Sequence, residues 1–420
     1  MTLRDAVRAL ATTASIMGLS NQELVIDVDM RQRKLEAAQP GLPTKSTLAT
    51  AEGVNGPLNL RPISALLELA RATALSDDPD IATAARRWAV LRYLGIFRRS
   101  SLTGALNLDD TALQFIGPNQ RRVLSEELGI GFGIMVAKVW CRARNPAIGP
   151  ITTIDVDKAL YSSAAPNLER NGKRQPDYLL SYPSPTNPSL IVFELLETKG
   201  TVSTPNAKEQ LGRAVTQLAG LTVNGRAITG LATSTVSNAT AVTVMAVDPE
   251  ESPITWEPSN AKLQYWRTGY EKPRKLDYPL DVNADEFFAT AMNVDMASLA
   301  EFSGQHDAVT KWLPSVANRR STRRNTNARR ESEHGVFVGS EVVIEASGAS
   351  QRLRIFQGVE EHVAEELRAI DAIAVREAQR SFASFESESI TDAHSTANHD
   401  EHDAAVALSS DGAMLEIRVD

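Results

Sequence analysis

The chain of 420 residues contains a single cysteine, Cys141, six histidines and only 5% aromatic residues. One cysteine excludes a disulfide framework and any zinc site built on several thiolates. It suits a reducing compartment, so a cytoplasmic location is expected. No apolar run approaches the roughly 18–20 residues of a membrane span, and no membrane partner is expected. Nor does the N-terminus read as a secretion signal. Asp5 and Arg8 fall where its apolar stretch would lie, and the segment reads better as an amphipathic helix. With 42% hydrophobic residues, a chain of this length can bury a large core without disulfides, spread over two or three domains.

Charge of one sign is also scarce over most of the length. The net charge is −8, and residues 381–420 account for it, with nine acids against one base, Arg418. The body of the chain is therefore neutral, and local basic patches within it remain able to meet phosphates. The most basic run, residues 318–330, holds six arginines and almost no apolar residue. It reads as an exposed linker or a basic arm, and Arg319, Arg320, Arg323 and Arg324 become candidates for gripping a nucleic-acid backbone. Arg86, Arg87, Arg92, Arg98 and Arg99, around Trp88, Tyr93 and Phe97, form a second candidate surface. His394, His399 and His402 stand among acids in a polar segment that reads as an acidic loop rather than a metal cluster.

Residues 1–118 read as a helical N-terminal region, with apolar spacing such as Ile63-Leu66-Leu67-Ala70. From 119 to 250 the pattern is a helix, three strands, a helix and two strands. The strands are expected near 151–156, 176–180, 190–198, 229–235 and 241–247, and the second helix near 207–219. That order predicts an α/β fold with a mixed sheet flanked by helices. Residues 251–313 form an extension of uncertain structure, 314–334 a basic linker, and 335–420 a small α/β C-terminal domain. This last unit is expected to carry a helix near 359–381 and a hairpin turning at Ser410-Asp411-Gly412.

The chemistry concentrates in two stretches, R-Q-P-D-Y-L-L at 174–180 and L-I-V-F-E-L-L-E-T-K-G at 190–200. Alternation along a strand puts Glu197 and Lys199 on one face, where an apolar run turns polar. A preceding strand carrying Asp177 can bring a second carboxylate beside Glu197. Two carboxylates suit a hard divalent cation such as Mg²⁺, with the Thr198 carbonyl between them as a further ligand. The lysine can orient water or contact a phosphate. Asp155 and Asp157, expected on one strand face, are alternative ligands. Gly129, Gly131 and Gly133 fall inside a helical apolar pattern and read as close helix packing rather than a phosphate loop.

With Pro176-Asp177 followed by Glu197-Thr198-Lys199, the stretch resembles the PD-(D/E)XK, or restriction-endonuclease-like, nuclease superfamily over about 125 residues. The resemblance implies a restriction-endonuclease-like sheet and a metal-dependent nuclease. Asp177, Glu197 and Thr198 would hold Mg²⁺, with Mn²⁺ able to substitute, and Lys199 would handle the water. An acid on the helix before the sheet would assist, which points to Glu127, with Glu126 as alternative. A polar residue on the helix after the lysine strand would meet substrate, which points to Gln210 and Gln217. Double-stranded DNA is the substrate implied. A homodimer would supply one site per strand, and a role in restriction or anti-phage defence, with a partner protein of such a system, extends the same analogy. The alternative is a catalytically silent nucleic-acid-binding or scaffold protein of the same fold, acting within a multi-subunit complex.

Overall fold

A computed structural model describes residues 1–73, 84, 85, 87, 89–146, 149–162, 175–258, 279–313, 328–345, 351–383 and 403–420. Its organising element is the stretch that the sequence marks most strongly. Residues Ile191–Thr201 form a strand of eleven residues, β6, in which every residue but Lys199 is buried. β-branched and large apolar side chains fit a strand covered on both faces, which explains the near-continuous run where a half-exposed strand would alternate.

Around it lie β4 (Thr152–Asp155), β5 (Tyr178–Pro183), β7 (Gly230–Ser237) and β8 (Val242–Pro249). The N-terminal region supplies β1 (Ala14–Leu19), β2 (Leu48–Thr50) and β3 (Gly56–Leu60). In the nine-stranded sheet the main path runs β3-β1-β8-β7-β6-β5-β4; β2 pairs with β8, and β9 (Ile254–Trp256) pairs with the start of β6. β7 is parallel to β6, and β1 is parallel to β8, while β4, β5 and β6 form an antiparallel meander. The expected mixed sheet flanked by helices is present.

The helical reading of residues 1–118 is corrected in part. Helices α1 (Leu3–Ala11), α2 (Gln22–Ala38) and α3 (Pro62–Ala72) are there, but so are β1 and β3, which extend the central sheet, and a hairpin of Phe97–Arg99 with Leu106–Leu108. β1 exists because a distant strand gives its backbone partners, a tertiary contact that local periodicity does not encode.

Helix α4 (Pro118–Arg144) crosses one face of β6 and β7, and its glycines make the crossing close. A methyl group placed on Gly129 would lie 2.6 Å from the Lys199 carbonyl oxygen, one on Gly131 2.4 Å from that of Ala65, and one on Gly133 2.7 Å from Thr233 Oγ1. The three glycines thus serve packing, as their helical context predicted. On the opposite face lies α5 (Thr204–Leu218), whose Ala207, Leu211, Ala214, Val215 and Leu218 recur at helical spacing and are buried.

The C-terminal unit is a five-stranded antiparallel sheet, ordered Ala328–Ser332, Gly335–Glu345, Arg352–Glu360, Ala413–Val419 and Ala404–Leu408. It begins at 328, so the last two arginines of the basic run are strand residues; Arg329 pairs with Glu361 and Arg330 with Glu341. The single helix expected at 359–381 is two, Glu361–Ala369 and Ala372–Gln379, broken at Ile370, whose φ is 63°. The 409–412 turn of the terminal hairpin is buried, and Ser410 Oγ accepts the Ile151 N–H at 3.2 Å. Below it a chain of buried charge crosses the molecule. Arg376 donates to Asp295 on helix Ala284–Phe302 at 2.8 Å, Asp295 faces Arg71 of α3 at 3.8 Å, and Arg71 pairs with Asp411. Arg376 also reaches Thr152 of β4 and Ser181 of β5.

Among the described residues no helix is long and apolar enough to cross a membrane. Arg319, Arg320, Arg323 and Arg324, Arg86 and Trp88, and His394, His399 and His402 lie outside the described residues.

Candidate functional site

Strand pairing brings the predicted carboxylates together. Register sets Tyr178 opposite Leu196, so Asp177, one residue before β5, meets β6 at Glu197. The two acids interlock through main chain. The Asp177 N–H donates to Glu197 Oε2 at 2.8 Å, and the Thr198 N–H donates to Asp177 Oδ2 at 3.2 Å. Within a strand a residue's N–H and C=O point to the same side, so the Thr198 carbonyl also looks toward Asp177. Lys199 donates to Glu197 Oε1, and its Nζ lies 3.6 Å from Asp177 Oδ2. One ammonium thus bridges two carboxylates.

Exposure is graded across this triad. The Glu197 side chain is sealed at 0%, Lys199 is 25% exposed and Asp177 35%, so the group opens to solvent on the Asp177 side. Burial, and then the Asp177 charge, push the Glu197 carboxyl well above its ordinary range, against the opposing pull of Lys199. Burial also works against the Lys199 charge, but the two carboxylates outweigh it and hold the lysine above its usual range. The two carboxylates thus favour its ammonium form, which suits it as a hydrogen-bond donor.

The other predicted residues are distributed as follows. Glu127 stands apart from the triad. It sits on α4, over the face of β6 opposite to that of Glu197 and Lys199, and its carboxylate accepts from Arg92 and from Tyr93. Glu126 is exposed, with its nearest cation, Arg122, at 3.9 Å. Gln210 faces the triad side of the sheet, but its amide is occupied: it donates to the Gly200 carbonyl at 3.2 Å and accepts from Ser234 at 3.0 Å. Gln217 donates to the Gln175 carbonyl at 3.3 Å, and the Gln175 side chain donates to Asp157. These contacts make Gln210 a clamp on the strand end, and Gln217 a brace on the segment entering Asp177.

Asp155 and Asp157 do not share a strand face, because β4 ends at Asp155 and a helix, Val156–Ser162, begins there. Asp155 accepts the Lys158 N–H at 2.9 Å at the start of that helix. Burial raises its carboxyl, and among the acids near it is Asp177. Sequence spacing gave no sign of Gln175 or Ser234, since their roles depend on cross-element contacts.

Two oxygen-donor carboxylates and a carbonyl make a hard donor set, which fits a cation that keeps several of its waters, as Mg²⁺ does. A closed cage of protein ligands is a different matter. Among the described residues no group of three or more His, Cys, Asp or Glu side chains is arranged to hold a metal ion.

A second polar group lies toward the other end of β6, on the α4 face. Glu194 is buried and accepts from Arg144 at 2.5 Å, and Cys141 Sγ lies 3.5 Å from it. Burial pushes the Cys141 thiol far up, so it stays protonated and behaves as a core residue. Beside it, Trp140 Nε1 donates to Asp248 at 2.9 Å, and burial pushes the Asp248 carboxyl up to about 6. The folded protein therefore holds this proton more tightly than the unfolded chain does. Stability should fall by about 3 kcal/mol in all as pH rises from below the unfolded pKa to about a unit above the folded one, most of it between roughly 4 and 6. Asp248→Asn should remove that component, visible as a flatter pH dependence of the urea midpoint than in the wild type.

Comparison with known proteins yields no relative: no family model matches the chain, and neither a curated protein nor a solved structure does.

Proposed function

We propose that the protein is a metal-dependent nuclease that hydrolyses phosphodiester bonds, with double-stranded DNA as its substrate. The observation that carries the reading is the bridging of Asp177 and Glu197 by the single ammonium of Lys199 at the polar end of a buried strand. The antiparallel β4, β5 and β6, with the helix Val156–Ser162 inserted after β4, α4 before them, and α5 leading to the parallel strand β7, support the resemblance to restriction-endonuclease-like nucleases.

Asp177, Glu197 and the Thr198 carbonyl would hold Mg²⁺ or Mn²⁺. Such an ion, when bound, neutralises charge on the phosphate and makes a coordinated water more acidic. The chain's own residues do the rest. Asp177, the most exposed of the three, presents the open side to substrate. Glu197 is fixed by the Asp177 N–H and cannot swing away. Lys199, kept charged by its two neighbours, donates a hydrogen bond to the attacking water or to a phosphate oxygen, and stabilises the negative charge that develops there. Gln217 and Gln175 hold the Pro176-Asp177 segment, so Asp177 arrives in register. A pair of copies, one for each strand, and a place in restriction or anti-phage defence belong to the same proposal.

The test is cleavage of supercoiled and linear duplex DNA by the full chain with Mg²⁺, with Mn²⁺ and with chelator. Cutting that requires either ion and stops on chelation is expected. Salt-dependent DNA binding without cutting in any condition would instead favour the silent binding or scaffold protein.

A further inference from the structure

The hairpin Phe97–Leu108 stands at the same end of the sheet as Lys199. Its second strand is tied to the turn between β7 and β8: the Leu108 N–H donates to the Asn238 carbonyl at 2.9 Å, and Asn107 Nδ2 to that of Ala239 at 3.1 Å. That turn follows Val236, which pairs with Thr201 just beyond Lys199. Its tip is held as well, since the Ser15 N–H at the start of β1 donates to the Gly104 carbonyl at 2.9 Å. The base is rigid because Phe97 is buried edge-on against Phe132. The first turns of α4 run out past this end too. A methyl group on Gly200 would lie 1.7 Å from the Ser125 carbonyl oxygen, and the helix runs antiparallel to β6, which carries residues 118–122 beyond the strand.

What this anchored element presents is unusual. Leu102 at its tip is 95% exposed, and Phe115, just before α4, is 85% exposed. From 97 to 108 the sequence holds two arginines, three hydroxyl residues and no acid. Arg99 is exposed with no ion-pair partner among the described residues, while Arg98 pairs with Asp109. Arg121 is exposed and fixed by the Ile116 and Leu113 carbonyls at 2.8 and 2.7 Å.

We infer that this hairpin, with the start of α4, is the surface on which duplex DNA docks, on the α4 face at the same end of the sheet as the triad. Arg99 and Arg121 meet backbone phosphates, and Leu102 enters a groove. A two-stranded ribbon fits a DNA groove, and an apolar side chain at its tip can press on base edges or wedge at a step. With Arg98 balanced by Asp109, the charges of this surface without an ion-pair partner among the described residues are Arg99 and Arg121. They match a polyanion, whereas an apolar protein partner would not require them. The inference rests on reading the site as a phosphodiesterase centre, and it names the element that would bring substrate there.

The test is binding of a labelled DNA duplex by the full chain in chelator, followed by fluorescence anisotropy across a salt series, for wild type, Arg99→Glu and Leu102→Ala. All three proteins should melt at the same temperature, since both side chains lie on the surface. Arg99→Glu is expected to weaken binding about tenfold and lower the slope of log K against log salt by about one phosphate contact. Leu102→Ala should weaken binding severalfold with the slope unchanged. Duplex binding by the wild type with both variants within twofold of it would overturn the docking surface and leave the site untouched. Absence of duplex binding by the wild type would overturn it as well. The nuclease reading stands or falls separately, on metal-dependent cleavage by the wild type.

Discussion

Lys199→Ala should abolish metal-dependent cleavage, with a loss of at least about 10³-fold, in a protein that remains folded. Removing one preorganised donor from a reacting centre costs on the order of 10²–10³ in rate. Here the same group also balances two carboxylates. Without it, Glu197 is a buried acid with no cation beside it. Burial already pushes that carboxyl upward, and the variant loses the ammonium that pulls against it. Lys199→Arg is the informative companion, because it restores the charge but not the shape, and a bulky guanidinium cannot sit between the two acids as an ammonium does. It should remain inactive. Plasmid cleavage in Mg²⁺, with circular dichroism on the same samples, checks both. Undiminished cutting by Lys199→Ala would assign the chemistry to another part of the chain.

Asp295→Ala should destabilise the protein by about 3–5 kcal/mol, more than any surface change. Breaking one member of a buried ion pair leaves its partner charged in a dry interior, and that penalty dominates. Asp295 has two such partners, Arg376 at 2.8 Å and Arg71 at 3.8 Å, and each is itself less than one-tenth exposed. A shift of the urea midpoint to lower concentration measures the effect. Asp295→Leu combined with Arg376→Met should recover much of the loss, because an apolar pair of similar volume carries no desolvation penalty. If the double variant were as unstable as the single one, the importance of the site would lie in the Arg376 bonds to Thr152 and Ser181 rather than in charge balance. Those bonds fasten the C-terminal unit to β4 and to β5, the strand that follows Asp177.

The meeting of Asp177, Glu197 and Lys199 was legible in the sequence because it depends on short-range rules. Period-two alternation put Glu197 and Lys199 on one face, and a meander of two strands with a turn-rich loop brought Asp177 opposite Glu197. The strands β4 to β8 were legible for a related reason, as runs of β-branched and apolar residues bounded by turns. What failed to show depends on distance. Glu127 lies on the helix before the sheet, but sequence cannot say which neighbours its side chain meets, and these are Tyr93 and Arg92. Gln210 and Gln217 lie on the expected helix, yet their amides are spent on main-chain carbonyls. Arg376 and Asp295, 81 positions apart, leave no local trace of one another.

The pairing of β1 with β8 also sets a timetable. Ser20, next to the end of β1, bonds the Ala246 carbonyl 226 positions further on. A ribosome adds about 5–20 residues per second, so β1, which meets β3 early, waits roughly 10–45 seconds after it emerges before β8 exists. Through that interval β1 and β3 form a lone antiparallel pair apart from the central sheet, and long-range parallel pairing is slow even once both strands are free. Slowing translation between β3 and β8 should therefore lower the yield of soluble protein more than slowing it afterwards.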